Sequence, residues 1–222
     1  MQLETVIHSG TIVTAGECFR GDVGIAEGRI AVIAEHIAGG ERRIDAGGRL
    51  VVPGGIETHA HIEQENARGI MPADDYLSGS VSAAFGGNSS FVPFAVQHRG
   101  QAIPAVLSTY EQRARKSVID YSWHLTISDV NEQVLSRDLP AAFARGIASL
   151  KVFTTYDQMN IGDGGMLDVL TVAKAHGAVT MVHAENTDMI KWMNARLSAA
   201  GHTAPRYQAI SRPELAEEEA IN

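Results

Sequence analysis

Short apolar runs separated by glycines dominate the first fifty residues of the chain. These runs lie at residues 5–8, 11–13, 22–25 and 29–33. Glycines stand between them, at positions 10, 21, 28, 39 and 40. Brief runs rich in β-branched residues and bounded by glycine predict strands joined by turns. We therefore expect residues 1–50 to form a small antiparallel β domain.

From residue 51 onward, continuous apolar runs alternate regularly with amphipathic stretches. The predicted strands cover residues 50–58, 89–96, 118–127, 147–155 and 178–184. The predicted helices cover residues 73–86, 103–116, 131–145, 164–176 and 187–200. Strands that alternate with helices in this way are typical of βα units and a parallel sheet. The pattern thus predicts an α/β domain over residues 51–222 with about five βα units, where a closed (β/α)8 barrel needs eight.

A further helix is predicted at the end of the chain. Ser211 is followed three positions later by Glu214, the spacing of a capping box at a helix N-terminus. No stop signal follows over residues 215–222. We expect the chain to end inside this helix.

Composition narrows the classes of partner. The chain has 222 residues, a hydrophobic fraction of 45% and a formal net charge of -8, which disfavours nucleic acid as a partner. No apolar run approaches the roughly 18 residues of a membrane span, and the N-terminus lacks the pattern of a signal peptide, so no membrane is expected and the cytoplasm is the default location. The single cysteine, Cys18, cannot form an internal disulfide. A small molecule is the expected partner.

Two histidines close the first apolar run of the α/β domain. His59 and His61 stand two residues apart just after residues 50–58. Side chains at positions i and i+2 of an extended segment share a face, so the two imidazoles would converge and supply half of a transition-metal site. The alternative is a pair of ordinary loop histidines.

A lysine and a third histidine occupy equivalent places on later strands. Lys151 lies within the apolar strand at 147–155, where an unpaired ammonium is disfavoured and a neutral, nucleophilic amine is favoured. Its alternative is an amine that reaches solvent at the strand end. His183 closes the strand at 178–184. Because the C-terminal ends of parallel barrel strands meet at one face, His59, His61, Lys151 and His183 are predicted to lie together.

Three segments resemble the cyclic amidohydrolases, specifically their dihydropyrimidinase and hydantoinase branch. They are residues 53–61 (PGGIETHAH), residues 149–156 (SLKVFTTY) and residues 181–186 (MVHAEN), in the order of that family. The resemblance runs over the whole chain and implies that the chain is the N-terminal portion of a member of that family. It implies a metal-dependent (β/α)8 barrel, of which about five units are present, preceded by part of a β-sandwich.

The resemblance also implies site chemistry. His59 and His61 would bind one divalent metal ion and His183 a second, with zinc as the expected metal. Lys151 would react with carbon dioxide to form a carbamate that bridges the two ions. Tyr156 would stabilise the oxyanion. The implied reaction opens a dihydropyrimidine or a 5-substituted hydantoin to an N-carbamoyl amino acid.

Other ligands of the family's site, a histidine from a sixth strand and an aspartate from an eighth, have no counterpart in this sequence. We therefore expect a homo-oligomer or a second chain that supplies the rest of the barrel. Two alternatives remain: one half of a split enzyme, or a non-catalytic fragment or scaffold resembling the collapsin response mediator proteins.

Two further positions bear on the substrate. Glu63 occupies the place where dihydroorotases carry an arginine that meets the substrate carboxylate, and an acid there would repel such a substrate. His98 and Arg99 are interpreted as a solvated loop pair, and the alternative is that they reach the mouth of the pocket.

Overall fold

The computed structural model describes residues 2–66 and 69–222. The chain divides into two compact units, Met1–Gly55 and Ile56–Asn222.

The first unit is a five-stranded mixed sheet. Its strands are β1 (Thr5–Val13), β2 (Cys18–Ala26), β3 (Arg29–Ala34), β4 (Arg42–Asp45) and β5 (Leu50–Val51). β2 runs antiparallel to β1 and to β3, whereas β4 and β5 run parallel to β1. The expectation of a purely antiparallel unit is therefore wrong. The sequence pattern missed β4 because all four of its residues are exposed, so they carry no alternation of apolar and polar positions.

The predicted strands at 5–8 and 11–13 form one strand with an irregularity between Ile7 and Gly10. Ser9 adopts a φ of 59° there, which a residue other than glycine tolerates only when its surroundings hold it. Its backbone N–H donates to the buried Asp22 carboxylate at 3.0 Å. Ile37 N–H donates to the other oxygen of Asp22 at 2.9 Å, and this bond lowers the pKa of Asp22.

Prolines divide two of the predicted strands of the α/β unit. The run at 50–58 separates at Pro53 into β5, in the first sheet, and β6 (Gly55–Glu57). The run at 89–96 separates at Pro93 into β7 (Asn88–Phe91) and β8 (Phe94–Val96). A proline has no N–H to give to a sheet, so the pairing stops there.

The third long run, at 118–127, also forms two strands, β9 (Asp120–Tyr121) and β10 (His124–Thr126). The last two strands, β11 (Ser149–Phe153) and β12 (Val179–His183), lie where the sequence predicts them.

The strands of this unit form two sheets. One has the order β12-β11-β10-β8, and every neighbouring pair in it is parallel. The other has the order β6-β7-β9, with β7 parallel to β9. Between β7 and β8, and again between β9 and β10, the chain leaves the three-stranded sheet and enters the four-stranded one. The predicted parallel α/β architecture is confirmed.

All five predicted helical regions are helical. The helices are α1 (Tyr76–Phe85), α2 (Ile103–Ala114), α3 (Leu139–Ala144), α4 (Gly162–Ala175) and α5 (Thr187–Ala199). A π-helical turn, Val134–Asp138, runs directly into α3. Asp75 caps α1 by accepting a hydrogen bond from Ser78 N–H, and Asn186 caps α5 by accepting from Met189 N–H.

The final helix, α6 (Glu214–Ile221), forms without the predicted capping box. Its N-cap is Pro213, and no side chain caps it. Ser211 donates its hydroxyl hydrogen bond to the carbonyl of Gln208 instead. The preceding turn engages the serine, so Glu214 is the first residue of the helix rather than its third.

The core of the α/β unit lies between the strands and helices α2 to α4. It is built from fully buried side chains, among them Phe91, Leu125, Leu150 and Val152 from the strands and Ile103, Leu107, Leu139 and Val169 from the helices. Within residues 2–66 and 69–222, no helix combines the length and apolar character needed to cross a bilayer.

Candidate active site

His59 and His61 lie just after β6, packed against one aromatic ring. Their ring centroids are 5.6 Å apart, and each lies within 4.9 Å of the centroid of Phe94 at the start of β8. His59 N–H donates to Glu57 Oε1 at 2.8 Å, and His61 Nδ1 lies 2.9 Å from Gln64 Oε1. Because the Gln64 oxygen can only accept, His61 Nε2 is the nitrogen left with a lone pair for a ligand.

Lys151 projects from the middle of β11. The neighbours in register are Thr126 on β10 and Met181 on β12, which offer no charge. Its Nζ lies 4.8 Å from the centre of the Phe153 ring, and the ammonium has no hydrogen bond or ion pair to any described residue. Burial lowers the pKa of Lys151. Burial without a charged partner therefore disfavours the ammonium form relative to a lysine in water.

His183 ends β12 and is hydrogen-bonded to an acid. Its Nε2 lies 2.6 Å from Glu185 Oε2, and the guanidinium of Arg212 donates to the same oxygen. Burial raises the pKa of Glu185, but the hydrogen bonds from Arg212 and His183 outweigh it, so the pKa is lowered. Glu185 is thus an ionised acceptor on one edge of the imidazole.

Tyr156 stands in the loop after β11 with a φ of 64°. Its backbone carbonyl accepts hydrogen bonds from Met159 N–H at 2.7 Å and Asn160 N–H at 2.8 Å, which close a tight turn. The ring lies 5.4 Å from that of His183 and is 43% exposed. A positive φ at a residue other than glycine is a strained backbone conformation, and such conformations are concentrated at functional sites.

One open cavity of about 670 Å³ brings the predicted residues together. His59, His61, Lys151, Tyr156 and His183 all line it. His59 and His61 follow β6, Lys151 lies in β11, Tyr156 follows β11 and His183 ends β12. The sequence predicts that the two pairs of metal-compatible positions, His59 with His61 and Lys151 with His183, lie together. The walls also include Phe94, Val96, Met159 and Ile190, so polar groups lie within an apolar rim.

Glu63 does not line this cavity. Its carboxylate accepts from Tyr76 N–H at 3.2 Å and pairs with Lys116 at 3.1 Å, beside the start of α1. The argument that Glu63 repels a substrate carboxylate therefore has no geometric support. Gln64 and Glu65 face the cavity in its place. Neighbouring residues of this loop thus differ in whether they line the cavity, and the spacing of residues in the sequence does not predict which of them does.

Arg99 is not a free loop residue. Its guanidinium donates to the carbonyls of Asp157 and Asn160, each at 3.1 Å, and so ties the Tyr156 loop to the loop after β8. Arg99 is exposed, as its interpretation as a solvated loop residue requires, but it also has these two backbone partners. His98 lines the cavity.

Sequence reasoning missed His124, Glu185 and Arg212. His124 is 8% exposed on β10, with Nδ1 2.7 Å from Ser149 Oγ and Nε2 2.9 Å from the Thr58 carbonyl. It therefore fixes the backbone that leads into His59. Burial lowers the pKa of His124. A histidine in the apolar run Trp123 to Ile127 was the available signal; Arg212 gave none, because its partners are distant in sequence.

The donors in the cavity fit a transition metal in kind. Imidazole nitrogens, which His59, His61 and His183 bring to the cavity, are ligands of the type that zinc accepts. Within the described ranges, no group of three or more His, Cys, Asp or Glu side chains is placed to hold an ion.

Comparison with known proteins places these residues in context. No protein-family model matches the chain. The D-hydantoinase of Geobacillus stearothermophilus is 40% identical over 219 residues, which cover 97% of this chain and 46% of the relative. The dihydropyrimidinase of Arabidopsis thaliana is 35% identical, with 97% of this chain and 41% of the relative covered.

Solved structures of similar fold carry related names. The crystal structure of dihydropyrimidinase from Brevibacillus agri NCHU1002 superposes with a TM-score of 0.91 at 37% identity, covering 97% of this chain and 47% of that one. The chain thus spans about half the length of the relatives it matches.

Proposed function

We propose that this chain is an N-terminal portion of a protein of the hydantoinase and dihydropyrimidinase branch of the cyclic amidohydrolases, as its identity of 35% to 40% to such relatives supports. We further propose that its cavity binds a cyclic ureide or imide and takes part in hydrolysing it. Such substrates include 5,6-dihydrouracil and 5-substituted hydantoins, which open to N-carbamoyl amino acids. The observation that supports this function is the meeting of five chemically competent side chains in one cavity: His59, His61, Lys151, Tyr156 and His183.

The histidines and the lysine would hold two divalent metal ions, with zinc as the expected metal. Bound there, such ions supply Lewis-acid polarisation of the amide carbonyl and lower the pKa of water. His59 and His61 would serve one ion and His183 the other, with Lys151 between them.

Lys151 would serve as a carbamate. The neutral amine adds its lone pair to the carbon of carbon dioxide, one carbon–oxygen π bond opens onto its oxygen, and the nitrogen loses one proton to water. The product is a carbamate with two oxygens and one negative charge. Burial without an ionic partner supports this role, since it favours the neutral amine that the addition requires.

Tyr156 would donate its hydroxyl to the amide oxygen as negative charge develops there. Donors that are already oriented stabilise such charge without reorganisation. The tight turn at Tyr156, closed by Met159 and Asn160, supports a fixed orientation.

Completion of the site requires further strands, supplied by a second polypeptide, by a longer form of this chain or within a homo-oligomer. β12 is the last strand of its sheet and has no neighbour on its outer side among the described residues. Its apolar residues Val179 and Val182 are 63% and 42% exposed. An open apolar edge of this kind favours pairing with another strand. The cytoplasmic location expected from the sequence remains part of this proposal.

Native mass spectrometry of the protein from its own source tests these proposals, together with metal analysis and a dihydrouracil ring-opening assay on the same sample. We expect about two metal ions per site, turnover, and either a companion polypeptide or an oligomer.

Absence of stoichiometric metal and of turnover from a folded sample would contradict the catalytic proposal and favour the scaffold alternative. Turnover without metal would contradict the assignment of His59, His61, Lys151 and His183 as ligands.

A further inference from the structure

Arg212 reaches the cavity from the far end of the chain. It lies just before α6, and its guanidinium contacts two groups at once. It donates to Glu185 Oε2, and its central carbon lies 5.5 Å from the centre of the Tyr156 ring. The side chains of Arg212 and Glu185 are 26% and 15% exposed. This is a partly buried, charge-assisted contact rather than a surface ion pair.

The position of Arg212 is fixed by the docking of α6 against the start of α5. Asn186 N–H donates to the Ala216 carbonyl at 2.7 Å, and the Asn186 side chain donates to Glu219. Ser211, next to Arg212, is buried. The segment is therefore anchored on both sides of the arginine.

The acid between Arg212 and His183 is held equally firmly. Thr154 Oγ1 accepts from Glu185 N–H at 2.8 Å, and Thr154 N–H donates to the His183 carbonyl at 3.1 Å. The backbone of Glu185 is thus fixed, and its carboxylate oxygen Oε2 has two neighbouring donors, the His183 Nε2 and the Arg212 guanidinium. Because an ionised carboxylate only accepts, His183 must carry its proton on Nε2.

We propose that Arg212 is a positioning residue for the site, acting through Glu185 to set the tautomer and orientation of His183. The guanidinium pins the carboxylate, the carboxylate holds the Nε2 proton, and Nδ1 keeps its lone pair towards the cavity. The same guanidinium packs on the Tyr156 ring. This role rests on the proposed function only in its consequence, since the hydrogen-bond chain itself is independent of any bound group.

The first test is metal-free and uses the full chain. Nitrogen-15 spectra of the histidine rings report the tautomer of His183 in the wild type, in Arg212→Ala and in Glu185→Gln. We expect the Nε2–H form in the wild type and a mixture of tautomers in both variants. The double variant should change the spectrum no further than either single one, because both act through one chain of contacts. Arg212→Lys should restore the wild-type form only in part, since an ammonium is a point charge without the planar fork.

Arg206→Ala is the matched control. Arg206 lies on the same segment, and within residues 2–66 and 69–222 its guanidinium has polar and cation–π contacts with its neighbour Tyr207 alone. An unchanged His183 tautomer in Arg212→Ala, or an equal change in Arg206→Ala, would overturn the proposal. If Arg212→Ala fails to fold, the comparison of wild type with Glu185→Gln and Arg212→Lys decides.

The second test measures cobalt(II) affinity. We expect Arg212→Ala to bind about 10- to 100-fold more weakly, the usual effect of losing a partner that orients a ligand, and Arg206→Ala to bind as the wild type does. Equal affinities of wild type and Arg212→Ala would overturn the role toward the metal. A wild type that binds no cobalt would refute the proposed metal site, while the ring spectra would still decide what Arg212 does.

Discussion

At the scale of single residues, buried polar groups that have hydrogen-bond partners differ from Lys151, which has none among the described residues. His124 and Asp22 are buried and have hydrogen-bond partners. Lys151 is partly buried and has no hydrogen-bond partner among the described residues. Burial lowers its pKa, because the charged ammonium loses contact with water. A cationic group kept in an apolar strand without a partner favours a chemical role over a structural one.

Replacing Lys151 tests that role directly. Lys151→Ala is expected to reduce cobalt bound by the full chain by at least about 10-fold, because metal affinity requires a deprotonated ligand. Added propionate should restore part of the binding, since its carboxylate fits the space left by the side chain and supplies the same two oxygens. Metal analysis after gel filtration provides the measurement.

Lys174→Ala, at the exposed C-terminal end of α4, is the control and should bind cobalt as the wild type does. Undiminished binding in Lys151→Ala would show that the lysine is not a ligand.

At the scale of elements, caps and loop ties position the cavity walls. Asp75 caps α1 and also pairs with Lys116 from the end of α2 at 2.7 Å. The hydrogen bond from Lys116 is the main reason that the pKa of Asp75 falls to about 2. Arg99 ties the Tyr156 loop by two carbonyls. Each contact joins segments that are distant in sequence.

Acid titration should reveal the Asp75 contact. A carboxyl whose pKa is about 2 when folded, against 3.8 as the unperturbed value, stabilises the fold fully above pH 3.8. That stability is lost as the pH falls towards 2. Asp75→Asn keeps the cap but removes the charge. Because both side chains of the pair are partly exposed, we expect its melting temperature to lie about one degree below the wild type at pH 7 and the gap to narrow as the pH falls towards 2. Thermal unfolding across this pH range measures the difference, and a constant gap would contradict it.

Removing Arg99 should loosen the Tyr156 loop. In Arg99→Ala, the amide hydrogens of Met159 and Asn160 are expected to exchange about tenfold faster, since opening the turn costs less free energy. Hydrogen exchange followed by mass spectrometry measures this on the chain alone. Arg137→Ala, an exposed arginine that forms no described contact, should leave those amides unchanged. Equal protection in Arg99→Ala and wild type would mean that the turn is held by its own hydrogen bonds.

At the scale of the whole molecule, β12 forms an open edge of its sheet among the described residues. β12 ends its sheet with two exposed valines, and the cavity is open beside it. Exposed apolar edges pair with other chains unless charge blocks them. The isolated chain is therefore expected to self-associate through β12.

Val179→Lys tests that expectation. A lysine at an edge strand opposes the approach of another strand, so the variant should scatter less light than the wild type at equal concentration. Leu167→Lys, on α4 at a similarly exposed position of 65%, adds the same charge away from the edge. Equal effects of the two variants would assign the association to general surface charge instead of to β12.

The sequence alone determined the alternation of strands and helices, the parallel arrangement, and four of the residues that line the cavity. These follow from local rules: apolar runs define buried strands, and parallel strands end at one face. His59, His61, Lys151 and His183 were therefore identifiable from their places at strand ends.

Only the tertiary structure decided the rest. The division of strands at Pro53 and Pro93, the parallel pairing of β4 with β1, and the turning of Glu63 away from the cavity depend on contacts between distant segments. The chain from Arg212 through Glu185 to His183 is the clearest case. Its outer members are 29 positions apart in number, from 183 to 212, and no periodicity links them, because a hydrogen bond between side chains is specified by where the backbone folds and not by the spacing of residues.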